Sequence, residues 1–306
     1  MPAAERTEVA DDLIGTELPI VRLRHWTRWV AAVIILALLA GLGFLLAGAQ
    51  INYADVPSFI GYRIMAQGLL NTVLLAVIGQ AGAIVLGVLI ALLRRSANPV
   101  ASWFAAGYIW LFRGVPVLLQ ILIWYNLALV FKFVTIPLPF THIYLLHAPT
   151  NAVVTAFVAA LLGLGLNESA YMAEIVRAGL NSVDSGQVEA AKSIGMTPGQ
   201  TLRRVVLPQA MRVIIPPTGN DFVNMLKGTS MASVIGVTEL IHAADNISSH
   251  NLEIMETLLA AAFWYMVVVT VAGVGQHYLE RAFGGQRSRP WSRAAKALRT
   301  PPLVRS

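Results

Sequence analysis

Long apolar runs separated by short polar or basic breaks dominate this chain. Residues 30–49 form the first run. At about 1.5 Å per helical residue it is long enough to cross a hydrocarbon layer of about 30 Å. Five more follow, with ends that blur by a few residues. Residues 68–93 stop at Arg94-Arg95, and residues 100–131 are interrupted at Arg113-Gly114-Val115-Pro116. Residues 150–172, 213–241 (with Pro216-Pro217 near the start) and 255–278 complete the set. The pattern predicts an all-α integral membrane protein with six transmembrane helices, so both termini lie on one side. Residues 1–25 are polar and mixed in charge, without the early apolar core of a cleavable signal peptide. The approach to the first span, Arg22 to Trp29, is basic and aromatic, with Trp26 and Trp29 where an interfacial belt belongs.

One stretch between spans breaks the alternation. Residues 187–208, QVEAAKSIGMTPGQTLRRVVLP, are neither membrane-apolar nor disordered in composition. Their chemistry predicts two short helices joined by a hard corner. Ser185 or Asp184 caps the first by accepting from backbone N–H groups that lack an intrahelical partner. Val188, Glu189, Ala190, Ala191 and Lys192 propagate it, and Gly195 supplies the positive φ that closes a helix end. Thr197 and Pro198 restart the chain as N-cap and first helical residue. Leu202, Val205 and Val206 make an apolar stripe on the second helix, which Pro208 ends. A compact knuckle with a mixed charged face suits docking to another protein; a solvated connection between two spans is the plainer alternative.

Composition agrees with the membrane assignment. Of 306 residues, 57% are hydrophobic and only 12% are charged, outside the range of a soluble domain. The absence of cysteine excludes disulfides, thiolate chemistry and cysteine-based metal sites. The net charge of +6 could suggest nucleic acid, but its distribution points to a membrane surface. With the termini inside, 18 of the 22 basic residues fall on the inner side, only Arg63 and Lys132 fall outside, and Arg113 and Lys227 lie within spans. That asymmetry satisfies the positive-inside rule and puts residues 187–208 in the cytoplasm. The basic, Pro-containing segment 284–306 reads as a solvated or headgroup-associated tail.

Glu189-Ala190-Ala191, three residues, Gly195, nine residues, Val205, one residue and Leu207-Pro208 together resemble the EAA loop of bacterial ABC importer permeases. Further matches are Gly68-Leu69-Leu70-Asn71-Thr72, Ala91 to Ser96, Phe112 to Pro116 with Gln120, Ala170-Tyr171 with Glu174-Ile175 and Arg177, Pro208-Gln209-Ala210, and Lys227 with Thr229-Ser230. These are similar to the polar amino acid branch, the histidine, glutamine and arginine permeases, over residues 66–283. The resemblance implies a type I importer core of five helices, preceded by an extra N-terminal helix at residues 26–49. Residues 1–25 and 284–306 would be cytoplasmic tails of a multi-pass protein of the bacterial inner membrane. It also implies that the loop is a coupling helix, with Glu189, Ala190, Ala191, Gly195, Leu207 and Pro208 engaging a cytoplasmic ATPase dimer. A second permease subunit, identical or a sister chain, and an extracytoplasmic solute-binding protein complete the implied assembly. ATP and magnesium would sit on the ATPase, with no cofactor on this chain. An ATP-independent carrier or channel for small polar solutes is the alternative from a different class.

Intramembrane polar groups are the candidates for chemistry, since an ionisable side chain at mid-span is costly and faces a cavity or a partner. Lys227 lines the pathway or pairs with Asp221, Glu174 or Glu168; the family usually follows this lysine with an acidic or amide residue, whereas Gly228 stands here. Asn167, Glu168 and Ser169 are the best candidates for substrate contact, facing Asn224, Thr229 and Ser230; interhelical hydrogen bonding is the competing role. Arg113, Gly114 and Pro116 mark a gate or a simple kink. The histidines at 25, 142, 147, 242, 250 and 277 show no metal-ligand spacing. No glycine-rich loop followed by Lys and Ser or Thr exists, so the chain carries no nucleotide site, is not itself an enzyme, and shows no nucleic-acid module.

Overall fold

A computed structural model describes residues 26–138 and 144–283. The tails expected at residues 1–25 and 284–306 lie outside the described residues. The chain divides into two units, Met1–Ile51 and Asn52–Ser306. In the first unit, α1 (Trp26–Ala47) is a 22-residue apolar helix with no buried residue, as befits a helix whose solvent is lipid.

The second unit runs α2 (Val56–Ile60), α3 (Arg63–Arg94), α4 (Pro99–Gly114) and α5 (Val117–Tyr125). A two-stranded antiparallel hairpin follows, β1 (Phe133–Pro137) with β2 (Tyr144–Pro149), and then α6 (Thr150–Val153) and α7 (Ala156–Asn181). Next come α8 (Ser185–Ser193), α9 (Pro198–Thr201), a π-helical turn (Leu202–Val206) and α10 (Leu207–Gly228). A 3-10 stretch (Thr229–Ile235), α11 (Leu240–Asn251) and α12 (Ile254–Phe283) complete it. Among the described residues four helices are long and apolar enough to cross a membrane, α1, α3, α7 and α12. The broken pair Pro99–Gly114 and Val117–Leu129, bent by 101°, makes a fifth.

Small side chains let these helices approach closely. Ala76, Ala83 and Ala91 of α3 and Ala159, Ala160, Ala170 and Ala173 of α7 are all fully buried, the small-residue interface expected where no hydrophobic effect drives helix association. Larger side chains fill the layers between them. Leu75, Ile121, Leu164 and Leu226 join α3, α5, α7 and α10; Ile90, Ile109, Met172 and Ile214 form a second cluster. A third, with Phe59, Met65 and Leu240, joins α2, α3, α11 and α12.

Three expectations need correction. The all-α reading misses the hairpin, whose β-branched and aromatic residues pair Phe133 with Pro149 through to Pro137 with Tyr144. Thr150 closes its base, donating its N–H to the Lys132 carbonyl (3.0 Å) and its hydroxyl to that of Phe131 (2.5 Å). Residues 213–241 are not one continuous span. The helix tightens at Thr229, where the hydroxyls of Thr229, Ser230 and Ser233 each donate to the carbonyl three residues back, the spacing a 3-10 turn needs. Gly236, at φ +79°, then turns the chain before α11. Finally, Pro208 does not end a helix. Leu207 N–H bonds to the Leu202 carbonyl across a π turn, and Pro208 becomes an early residue of α10, where its missing N–H is tolerated.

Candidate functional site

Residues 184–208 form the expected corner, built largely from its own backbone and side chains. Asp184 caps α8, its carboxylate accepting the Gly186 N–H at 2.7 Å. At the other end Gly195 N–H donates to Lys192 and Met196 N–H to Ala191, the double bond of a Schellman closure. Gly195 sits at φ +80° with nothing within 4 Å of where a Cβ would stand. Glycine is therefore required by the backbone and not by crowding. Thr197 and Gln200 then form a reciprocal capping box, Thr197 N–H to Gln200 Oε1 (3.0 Å) and Gln200 N–H to Thr197 Oγ1 (3.4 Å). Ala191 is buried, whereas Glu189, Ala190, Lys192, Leu207 and Pro208 are exposed. Ile194 stands 79% exposed at the tip. It escaped the sequence reading, because an isoleucine beside a glycine gives no period to follow.

The break at Arg113–Pro116 is a built bend. Pro116 has no N–H to give the Phe112 carbonyl, which at membrane depth must find another donor. Gln120 Nε2 supplies one at 3.0 Å and also reaches the Val115 carbonyl at 2.8 Å, while Asn167 Nδ2 of α7 reaches Phe112 at 2.6 Å. Arg113 lies over the Tyr171 ring, 5.0 Å from its centroid, and Gly114 ends α4 with open space around it. Replacing Gln120 by leucine strips both carbonyls of that donor and is expected to cost about 1–3 kcal/mol. A lowered unfolding midpoint of the purified protein in detergent checks this.

The polar candidates separate into two groups. Asn167, Ser169, Thr229 and Ser230 are engaged in local bonding. Ser169 Oγ meets the Tyr108 hydroxyl at 2.6 Å and donates to the Leu166 carbonyl, and Thr229 Oγ1 donates to the Leu226 carbonyl. Ser230 donates to Lys227. Glu168 and Asp221 differ. Their carboxyls, on α7 and α10, face one another, and Glu168 Oε1 and Asp221 Oδ2 are buried without a hydrogen-bond partner among the described residues. Two facing carboxylates repel unless a proton or a cation comes between them, so this pair is an acceptor site for positive charge. Asn224 and Lys227 are exposed and continue from Asp221 at three-residue steps, a polar stripe winding along α10. Of the two readings of Lys227, the ion pair with Asp221, Glu174 or Glu168 is not formed among the described residues. Glu174 instead pairs with Arg177, one turn along the same helix, at 2.6 Å.

The corner and Asp221 belong to one run of chain, α8 through α10, which faces Glu168 of α7. Among the described residues no cluster of His, Asp and Glu could hold a metal ion.

Comparison with known proteins bears on what such a chain does. The family model for the binding-protein-dependent transport system inner membrane component matches residues 83–285. The arginine transport system permease protein ArgU of Corynebacterium glutamicum is 42% identical over 265 residues, 85% of this chain and 81% of that protein. The probable amino-acid permease protein YxeN of Bacillus subtilis is 41% identical over 219 residues, 71% of this chain and 90% of that one. A solved structure described as an amino acid ABC transporter with histidines has a TM-score of 0.65 at 32% identity, covering 76% of this chain and 100% of its own. The methionine ABC transporter MetNI in an inward-facing form gives 0.55 at 16% identity over 73% of this chain and 97% of that one, a likeness of fold. With two thirds of its length inside that match and relatives this similar, the chain belongs to the family of inner membrane components of binding-protein-dependent transport systems.

Proposed function

We propose that the chain is the permease subunit of an ATP-driven, binding-protein-dependent importer of amino acids, and that its substrate carries a positive charge on its side chain. The ATPase is a separate cytoplasmic dimer that holds ATP and magnesium; this chain supplies the path and the corner that the ATPase moves. A second permease, identical or a sister chain, completes the path, and an extracytoplasmic receptor delivers the substrate.

The observation that carries the substrate reading is the Glu168–Asp221 pair, two facing carboxyls with buried oxygens that have no hydrogen-bond partner among the described residues. A guanidinium or ammonium group supplies donors for both carboxyls at once. The relative named for arginine transport is in keeping with this. Asn224 and Lys227, exposed on α10, line the path toward the second permease. Asn167, Ser169, Thr229 and Ser230 shape it from behind through the bonds they already make.

The corner at 187–208 seats in the ATPase, with Ile194 as its apolar tip and Glu189 and Lys192 as its charged face. Leu207 and Pro208 open the helix that carries the movement inward. Six crossings, with α10 and the 3-10 stretch as one of them, put both termini and the corner in the cytoplasm. The bend at Arg113, Gly114 and Pro116 shapes the inner end of the path.

Two measurements test this. Reconstituted with its ATPase and receptor, the chain is expected to import a cationic amino acid only when ATP is supplied on the corner side. Uptake at full rate without ATP would overturn the reading. A cysteine placed at Ser185 of this cysteine-free chain is expected to react with an impermeant maleimide in inside-out vesicles and not in intact cells. Reaction in intact cells would put the corner on the wrong side.

A further inference from the structure

A second carboxylate, far along the chain from the corner, is unused in the account so far. The Glu239 side chain is fully buried, and the one ion pair among the described residues lies elsewhere, between Glu174 and Arg177. Its carboxyl oxygens accept hydrogen bonds from two elements. The Tyr265 hydroxyl of α12 donates to Oε2 at 2.7 Å, and the His242 N–H at the start of α11 donates to Oε1 at 2.8 Å. The backbone on either side is also tied down. Asn71 Nδ2 donates to the Thr238 carbonyl at 2.7 Å, and the Leu240 N–H donates to Thr72 Oγ1 at 3.3 Å. α3 lies directly against this turn at Gly68, where an added Cβ would stand 2.9 Å from the Glu239 carbonyl oxygen.

The connectivity gives this junction its meaning. From the corner the chain passes through the π turn, α10 and the 3-10 stretch, turns at Gly236 and arrives at Glu239 three residues later. Glu239 is thus where the path that begins at the corner is fastened to α3 and α12. Apolar contacts are non-directional, and packed helices slide past one another in small shear steps. A buried carboxyl held by donors on separate elements cannot slide without leaving buried polar atoms unpaired.

We propose that Glu239 is a positioning residue for transport. Through Tyr265 it fixes the far end of the path, so that displacement of the corner turns and bends α10 and carries its polar stripe, instead of shifting the whole run lengthwise. The inference rests on the proposed role of the corner in receiving the ATPase's movement.

The test uses the complete complex, permease with ATPase and receptor in proteoliposomes, carrying Tyr265→Phe or, separately, Glu239→Gln. Import, ATP hydrolysis with and without loaded receptor, and the amount of assembled complex are measured together. Tyr265→Phe removes one buried hydrogen bond and leaves the ring packing in place. It is expected to assemble normally and to keep receptor-independent hydrolysis. Substrate moved per ATP is expected to fall about tenfold, in line with the loss of such a bond. Glu239→Gln keeps an acceptor for the start of α11 and is expected to show the same loss. Unchanged transport per ATP in Tyr265→Phe would overturn the proposal. So would a loss of assembly in both variants with normal transport per surviving complex, the mark of a purely structural bond. Failure of the wild-type complex to import would instead defeat the proposed function, a result the variants do not enter.

Discussion

Gly195→Val is expected to lower ATP-driven import by roughly an order of magnitude, with a matching loss of ATPase that co-purifies with the permease. The reason lies in the backbone alone. Gly195 sits at φ +80° and a Cβ there would meet nothing within 4 Å, so no clash enters the account. A residue with a Cβ in the left-handed region costs about 1–2 kcal/mol, more for a branched one, which is a factor of about 5–30 in the population of the corner. Relieving that strain means surrendering the Gly195–Lys192 and Met196–Ala191 bonds, and with them the angle between α8 and α9. Gly195→Asn is the control, because asparagine tolerates this conformation; it is expected to keep most of the import. Equal loss in both variants would show that the corner's geometry is not what matters.

Glu168→Gln is expected to have the largest effect on transport itself, a fall of about 100-fold for a cationic amino acid. Truncating one member of a buried, hydrogen-bonded charge contact costs about 2–5 kcal/mol, and in the proposed function the substrate's cation is the partner of the pair. Asp221 remains in the variant and keeps part of the attraction, which places the expected loss toward the lower part of that range. Import of a neutral amino acid, if any is carried, should change far less. A uniform loss for both classes would reassign Glu168 to packing between α7 and α10.

Much of this was legible in the residues. The corner followed from Asp184, Gly195, Thr197 and Pro198, because caps and positive φ are local chemistry that needs no tertiary information. The interruption at Pro116 was equally local. What the sequence could not supply was whatever depends on a partner distant in the chain. Asn167 looked like a substrate ligand, but it serves the carbonyl that Pro116 orphans, 55 positions away in the sequence. Lys227 invited a carboxylate, but it stands exposed on α10, and the one ion pair among the described residues joins Glu174 to Arg177. The hairpin at 133–149 hid inside an apolar stretch because short apolar runs read alike as strand or helix. The reach of the rod through Pro208 was missed for a related reason. A proline is a reliable stop in an α-helix, but a π turn just before it changes which carbonyl expects a donor.

That π turn also fixes a rotational relationship. Its five residues, Leu202–Val206, hold one more residue per turn than their α-helical neighbours. Each residue of an α-helix advances the wheel by about 100°. Deleting one residue there would let the segment revert to ordinary winding; the wider turn absorbs its extra residue, so Asp221, Asn224 and Lys227 would keep close to their present bearing. The turn thus lets the chain carry one residue more between the corner and the polar stripe of α10 while keeping the angular phase between them, whereas the same residue inserted into straight α winding would swing that stripe by about 100°.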